Sequence, residues 1–175
     1  QEPPMSRKFS RIIRSIWKDK DFRDLSPEAQ HLYFVLISDP KLTYAGVADW
    51  RPEKISGRAT GWTADDVEAA GHELAQHLFV IIDDDTEEVG IRTFHRNDEC
   101  LAVPNMAKAV IDAYDQVESP TISAVIIHEL TRLHEQQPNL PGWNNIGTFL
   151  TDHEAVDPAT LVHDAPVLEP AGAPF

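Results

Sequence analysis

The stretch from Ser26 to Phe94 reads SPEAQHLYFVLISDPKLTYAGVADWRPEKISGRATGWTADDVEAAGHELAQHLFVIIDDDTEEVGIRTF, and its punctuation decides the fold. Ser26-Pro27-Glu28 is a helix start: a side-chain oxygen that can accept a free backbone N–H, then Pro at the first helical position. Ala29, Leu32, Tyr33, Leu36 and Ile37 recur at helical spacing until Asp39-Pro40 ends the run. Tyr44-Ala45-Gly46-Val47 reads as a short extended link. A second helix is expected over roughly Arg51 to Ala59, stopped at Thr60-Gly61, where Gly takes the left-handed conformation of a cap. Thr63 caps a third helix reaching His77, with Asp65 and Asp66 in the first turn, where negative charge suits the helix dipole. Its apolar stripe is Val67, Ala70, Leu74 and Leu78. Phe79-Val80-Ile81-Ile82 is a strand by its β-branched run, Asp83 to Glu88 a polar turn, and Val89 to Phe94 the returning strand. Three helices followed by a hairpin is the element order of a winged helix-turn-helix, a module most often used to bind DNA.

The flanks are of two kinds. Before it, Ser6 to Arg23 carries Arg7, Lys8, Arg11, Arg14, Lys18, Lys20 and Arg23, interleaved with Phe9, Ile12, Ile13, Ile16, Trp17 and Phe22. After it, Asn105 is placed to cap a helix reaching Val117. Ser119-Pro120 opens another, to about Gln136, with Ile122, Val125, Ile126, Leu130 and Leu133 on one face. The short Glu118–Ser119 joint suggests an antiparallel helical hairpin. From Pro138 the composition shifts: six of the 13 prolines lie between Pro138 and Pro174, the texture of a tail or linker. Within it Trp143, Ile146, Phe149 and Leu150 can form one apolar face, either a docking arm or a segment that packs back on the body. The expected class is therefore mainly α with a small β-hairpin (α+β). It divides into a winged helix-turn-helix with its basic lead-in over 5–98, a helical hairpin over 99–137 and a Pro-rich acidic tail over 138–175. Gln1 to Pro4 precede the first methionine, Met5, and stand outside these expectations.

Composition narrows the function. With 175 residues, 42% hydrophobic and 25% charged, the chain suits one well-buried domain or a small domain with appended helices. No apolar run approaches the roughly 18 residues that span a bilayer, and no signal peptide is read at the start, so no membrane role is expected. Cys100 is the single cysteine, which excludes an intramolecular disulfide and points to a reducing cytoplasm. The net charge of -14 is unevenly spread: residues 1–60 hold 11 Lys+Arg against 8 Asp+Glu, and the rest hold 4 against 21. A mildly basic front and a strongly acidic back can orient a protein on nucleic acid or dock it to a basic partner; the same acidity also serves solubility.

Catalytic and metal motifs find little support, so neither an enzyme nor a cofactor is expected. His128 and His134 are six apart, about 600° of helical rotation, so the HExxH zinc geometry is missed. His72 and His77, five apart, are also poorly placed to share a metal. Asp83-Asp84-Asp85 with Glu87 and Glu88 offers oxygens for a hard cation, but it lacks the spacing and glycine of an EF-hand loop and reads as a solvated turn. There is no GxxxxGK[ST], no GxSxG, and no nucleophile signature around Cys100.

The DNA reading meets one obstacle. In a winged helix the third helix enters the major groove and reads bases with Arg, Lys, Asn or Gln. Here its outward positions are Asp65, Asp66, Glu68, Ala69, His72, Glu73 and Gln76, with no Lys or Arg, and the wing turn is acidic as well. Four carboxylates pressed on phosphates cost several kcal/mol by Coulomb reasoning. The cations have to come from elsewhere, and Arg7, Lys8, Arg11, Arg14, Arg51, Lys54 and Arg58 are the candidate DNA-binding residues.

A resemblance bears on this choice. Ser6-Arg7-Lys8-Phe9, Ile16-Trp17 with Asp21-Phe22, Leu25-Ser26-Pro27-Glu28-Ala29-Gln30 and Leu32-Tyr33 resemble the opening of a family found in actinobacterial phages and prophages. The likeness continues through Leu42 to Val47, Phe79 to Asp83, Ile91 to Phe94, Asn97-Asp98 and Pro104-Asn105, covering about residues 5 to 135. Those proteins are helix-turn-helix DNA-binding proteins similar to the N-terminal domains of DnaD-like phage replication initiators. The resemblance implies a winged-helix fold whose lead-in and wing touch double-stranded DNA in a bacterial host cell. The leading expectation is a DNA-binding protein of replication initiation or transcriptional regulation, with a homodimer as one assembly. The acidic third helix and wing depart from it. They keep open an alternative in which the module binds a host or phage protein through its acidic surface, as an inhibitor or DNA mimic.

Overall fold

The structure is a computed structural model that describes residues 8–162; Arg7 and the tail beyond Val162 lie outside the described residues. Its architecture is mixed α+β: among the described residues, seven α-helices, several 3-10 turns and one small antiparallel sheet of order β1-β3-β2. An arm over residues 8–13 leads into a 3-10 turn, Arg14–Lys18, and then the one-turn α1, Lys20–Arg23. Helix α2, Pro27–Ile37, starts as its sequence requires, with the Ser26 hydroxyl accepting the Ala29 N–H at 3.1 Å. It buries Ala29, Leu32, Tyr33 and Leu36.

The segment read as an extended link is a turn followed by a strand. Gly46 takes φ +75, and a Cβ there would stand 2.6 Å from the Phe94 Cβ, so the left-handed turn and the close packing both demand glycine. Strand β1, Val47–Asp49, then pairs antiparallel with β3, Ala48 opposite Val89. A three-residue strand has too little pattern to announce itself; pairing creates it. Helix α3, Pro52–Ser56, is shorter than its expected span, and the chain turns through Gly61 at φ +80 into α4, Ala64–Gln76. There Thr63 and Asp66 form a reciprocal capping box. Val67, Ala70, Gly71 and Leu74 are buried; Leu78, expected in the same stripe, is half-buried at φ 61 and turns the chain into the sheet.

Strands β2, Val80–Asp83, and β3, Glu88–Ile91, form the hairpin. The returning strand stops short of Phe94, which instead opens the one-turn α5, Phe94–Asp98. Helix α6, Met106–Tyr114, lacks the expected cap: the Asn105 side chain bonds no N–H and its backbone is already helical. Helix α7, Pro120–Gln136, begins at Ser119 as expected. The two helices do not form the expected hairpin as a separate unit. Helix α7 lies on β2, Ile122 sits against Gly90 of β3, and α6 packs on the 3-10 turns Cys100–Ala102 and Pro141–Asn145. One core cluster runs from Phe22 to Phe149 through all three expected units.

The start of the expected tail belongs to that core. Ile146 and Phe149 are buried, Tyr114 meets Phe149 edge-on at 5.0 Å, and the Val156 N–H donates to the Ala124 carbonyl at 3.1 Å. Of the two readings of the apolar patch at Trp143 to Leu150, packing back on the body is the one observed.

Gly71 tests the packing between α4 and β1. A Cβ there would stand 2.4 Å from Cη2 of the buried Trp50 ring, which has no room to swing away. In an open helix Gly→Ala gains up to about 1 kcal/mol. Here overpacking of about 1–3 kcal/mol outweighs that gain, so Gly71→Ala lowers the urea midpoint with the slope unchanged. A midpoint at or above wild type would refute this packing.

Candidate nucleic-acid interface

The acidic helix α4 is less open than its sequence suggests. Glu73, expected to face outward, reaches the N-terminus of α2: one carboxylate oxygen accepts the Ser26 N–H and the other accepts the Ser26 hydroxyl, both at 2.7 Å. Asp66 accepts the Thr63 hydroxyl at 2.7 Å and the Thr63 N–H at 2.9 Å, and these bonds, the hydroxyl first, hold its carboxyl below the usual carboxylate range. The exposed remainder is Asp65, Glu68, Ala69, His72 and Gln76.

The hairpin turn is also divided. Asp83 and Glu88 face each other across β2 and β3 and turn their carboxylates toward α7. Glu88 accepts the Glu118 N–H at 3.1 Å and the Ser119 N–H at 2.7 Å, and Asp83 accepts the Ser119 hydroxyl. That hydroxyl in turn accepts the Ile122 N–H at 3.1 Å. Two of the turn's five carboxylates therefore cap a helix, which corrects its reading as a wholly solvated loop. Asp84, Asp85 and Glu87 stay exposed.

The candidate cations fall into two groups. Arg51, Lys54 and Arg58 line one surface concavity of about 180 Å³ on the α3 side, together with Lys41, Asp39 and Asp49. Lys8 lines the adjoining hollow, which shares Asp39 and Pro40. Arg14 is exposed on the 3-10 turn, and Arg11 pairs with Glu99 beyond the end of α5. The structure thus assembles Lys8, Arg51, Lys54 and Arg58, leaves Arg11 and Arg14 apart, and adds Lys41. No spacing rule joins Lys41 to Arg51; the β1 turn does.

Each of three cations in the concavity already holds a carboxylate. Arg58 meets Asp39 at 2.8 Å, Lys41 meets Asp49 at 3.0 Å and Arg51 meets Glu87 at 3.0 Å, while Lys54 is exposed. The Lys41 ammonium, by hydrogen bond first, holds the Asp49 carboxyl below the usual range. The Lys41–Asp49 and Arg51–Glu87 pairs are largely in water, where such contacts are worth about 0–1 kcal/mol. The four cations there stand against three carboxylates, so the excess of positive charge is centred on Lys54.

Four of the eight histidines are spent on packing. His31 lies tilted against Trp62, His134 meets Trp143 edge-on, His153 meets Tyr114 and Phe149, and buried His95 places Nε2 2.9 Å from the Tyr44 carbonyl oxygen. Among the described residues no three metal-ligating side chains gather, and no helix is long and apolar enough to cross a membrane. No family model, curated protein or solved structure matches the chain.

If Glu73 is a helix cap, its loss is felt as stability. Glu73→Ala removes two bonds at the α2 N-terminus and is expected to cost about 1–2 kcal/mol. A thermal scan checks this; a solvent-facing residue would stay within about 0.5 kcal/mol.

Proposed function

We propose that residues 27–91 form a winged helix-turn-helix that binds double-stranded DNA, and that its phosphate contacts come from the α3 side rather than from α4. In this reading α2, α3 and α4 are the three helices, β1 and the β2–β3 hairpin are the small sheet and wing, and the turn through Gly61 joins α3 to α4. The observation that carries it is the gathering of Lys41, Arg51, Lys54 and Arg58 in one concavity, extended by Lys8. Phosphate contacts fix a protein on a duplex without reading its sequence. With Asp65 and Glu68 exposed on α4, base readout has no obvious source, so binding is weak to moderate and chiefly electrostatic. Replication initiation or regulation in a phage context is the role that the family resemblance adds to this reading.

A second reading rests on the same exposed face of α4. Asp65 and Glu68 flank Ala69, and a basic protein partner would meet there what DNA would avoid.

Fluorescence anisotropy on a labelled duplex decides between them. With four to five phosphate contacts, log affinity falls against log salt with a slope of about -4. Arg51→Glu with Lys54→Glu should abolish binding or reduce the slope by about 2, whereas Asp65→Ala should leave it or strengthen it. No duplex affinity at low salt, or affinity indifferent to the Arg51 and Lys54 changes, sinks the DNA reading.

A further inference from the structure

The arm carries a pattern that the fold uses only at its end. Phe9, Ile12, Ile13, Ile16 and Trp17 sit at i, i+3, i+4, i+7 and i+8, the apolar stripe of an α-helix. Wound at about 100° per residue, they would cover an arc of about 140°, with Lys8, Arg11, Arg14 and Lys18 together on the opposite side. Yet residues 8–13 are not helical, and 14–18 make only a 3-10 turn. Consequently Phe9 is 84% exposed, Ile12 54%, Ile13 47% and Trp17 56%; among the described residues the one other exposed large apolar side chain is Val103. The arm is tethered to the body by the Ser10 hydroxyl on the Ile37 carbonyl and by Arg11 on Glu99, and at its end Ile16 packs on the core while Trp17 meets Phe22 edge-on at 5.7 Å. A stripe so regular and so exposed is that of a segment whose helix forms against something else.

Charge selects the occupant. An anionic lipid surface would attract the arm but repel the remainder, since residues 61–175 carry 21 acidic side chains against 4 basic. A second copy is also net acidic, at -14, but its charge is uneven, so head to tail its acidic half meets the cations of the arm while the like-charged halves stand apart. It also offers an apolar seat. A groove of about 240 Å³ runs between the last turn of α4, the edge strand β2 and residues 158–162, lined by Ala75, Leu78, Val80, Ile82 and Leu161. Glu68 lies one helical turn before His72 on its rim, and Asp157 directly precedes Pro158 on the other side.

We propose that the chain self-associates head to tail, the arm of one copy folding into an amphipathic helix in the β2-edge groove of the next. The contact joins two different surfaces, so each added copy leaves one arm and one groove free, and growth is open-ended unless the rotation closes a ring. The proposal does not rest on DNA binding.

Sedimentation velocity on the full chain tests it, with two variants at exposed positions. Phe9→Ser with Ile13→Ser disables the arm, and His72→Lys with Gln76→Lys places like charge in the groove; far-UV circular dichroism confirms that both fold. At physiological ionic strength, where the repulsion between copies of net charge -14 is screened, the wild type should show a mass that rises with concentration, with helicity rising alongside. Each variant alone should associate at least about tenfold more weakly. Mixed in equal amounts, the two should form a 1:1 complex, because one intact groove then meets one intact arm. A wild type that stays monomeric at every concentration overturns the proposal. So does a wild type that associates while the mixed variants stay monomeric, or a monomeric chain whose arm binds phosphatidylserine vesicles.

Discussion

The arrangement depends on one electrostatic contact, the grip of Asp83 and Glu88 on the start of α7. Two carboxylates directly opposite across an antiparallel ladder repel by about 0.2–1 kcal/mol. Two backbone N–H groups and the hydroxyl of Ser119 answer them, and hydrogen bonds to charged groups are worth about 1.5–3 kcal/mol each. The positive end of the helix dipole adds to the attraction. The balance favours the pair only while α7 is in place. Farther along, Arg92 joins Glu129 at 3.2 Å and reaches the Leu78 carbonyl, so the hairpin and α7 are fixed at two points. The later helices are thereby a part of the core rather than an appendage.

The same economy governs α4. A helix without Lys or Arg looks ill suited to DNA, yet Glu73 is occupied at the start of α2 and Asp66 in its own cap. Glu73 is turned toward α2 by these bonds, whereas Asp66 keeps its charge at the surface. Asp65, Asp66 and Glu68 keep the exposed face of α4 acidic, which shifts the proposed DNA contacts to the cations around Lys54. The binding face, in this view, is made by the turn before β1 as much as by the helices.

The arm stands in contrast to this frugality. Elsewhere each amphipathic segment has buried its stripe: α2 on α4, α4 on β2, α7 on the sheet. Residues 9–13 have the stripe without the burial, while Ile16 and Trp17 at its end rest on the body. A local pattern at odds with its surroundings marks a function or an unfilled contact, because consistency between levels is what folding selects.

Much of the fold was legible in the sequence. Ser26-Pro27, Thr63 and Ser119-Pro120 announce three helices because a cap is a local matter of one side chain and the N–H groups beside it. The β-branched run at Val80 to Ile82 likewise needs only its neighbours. What the sequence alone could not determine was anything that arises across distance. Strand β1 exists because β3 supplies its hydrogen bonds; the start of the tail is core because Tyr114 and Ala124 receive it; Lys41 joins Arg58 because the chain turns between them. Composition showed a surplus of negative charge, and only the tertiary structure decided where it is spent, since a carboxylate is repelled or held according to the N–H groups that folding brings to it.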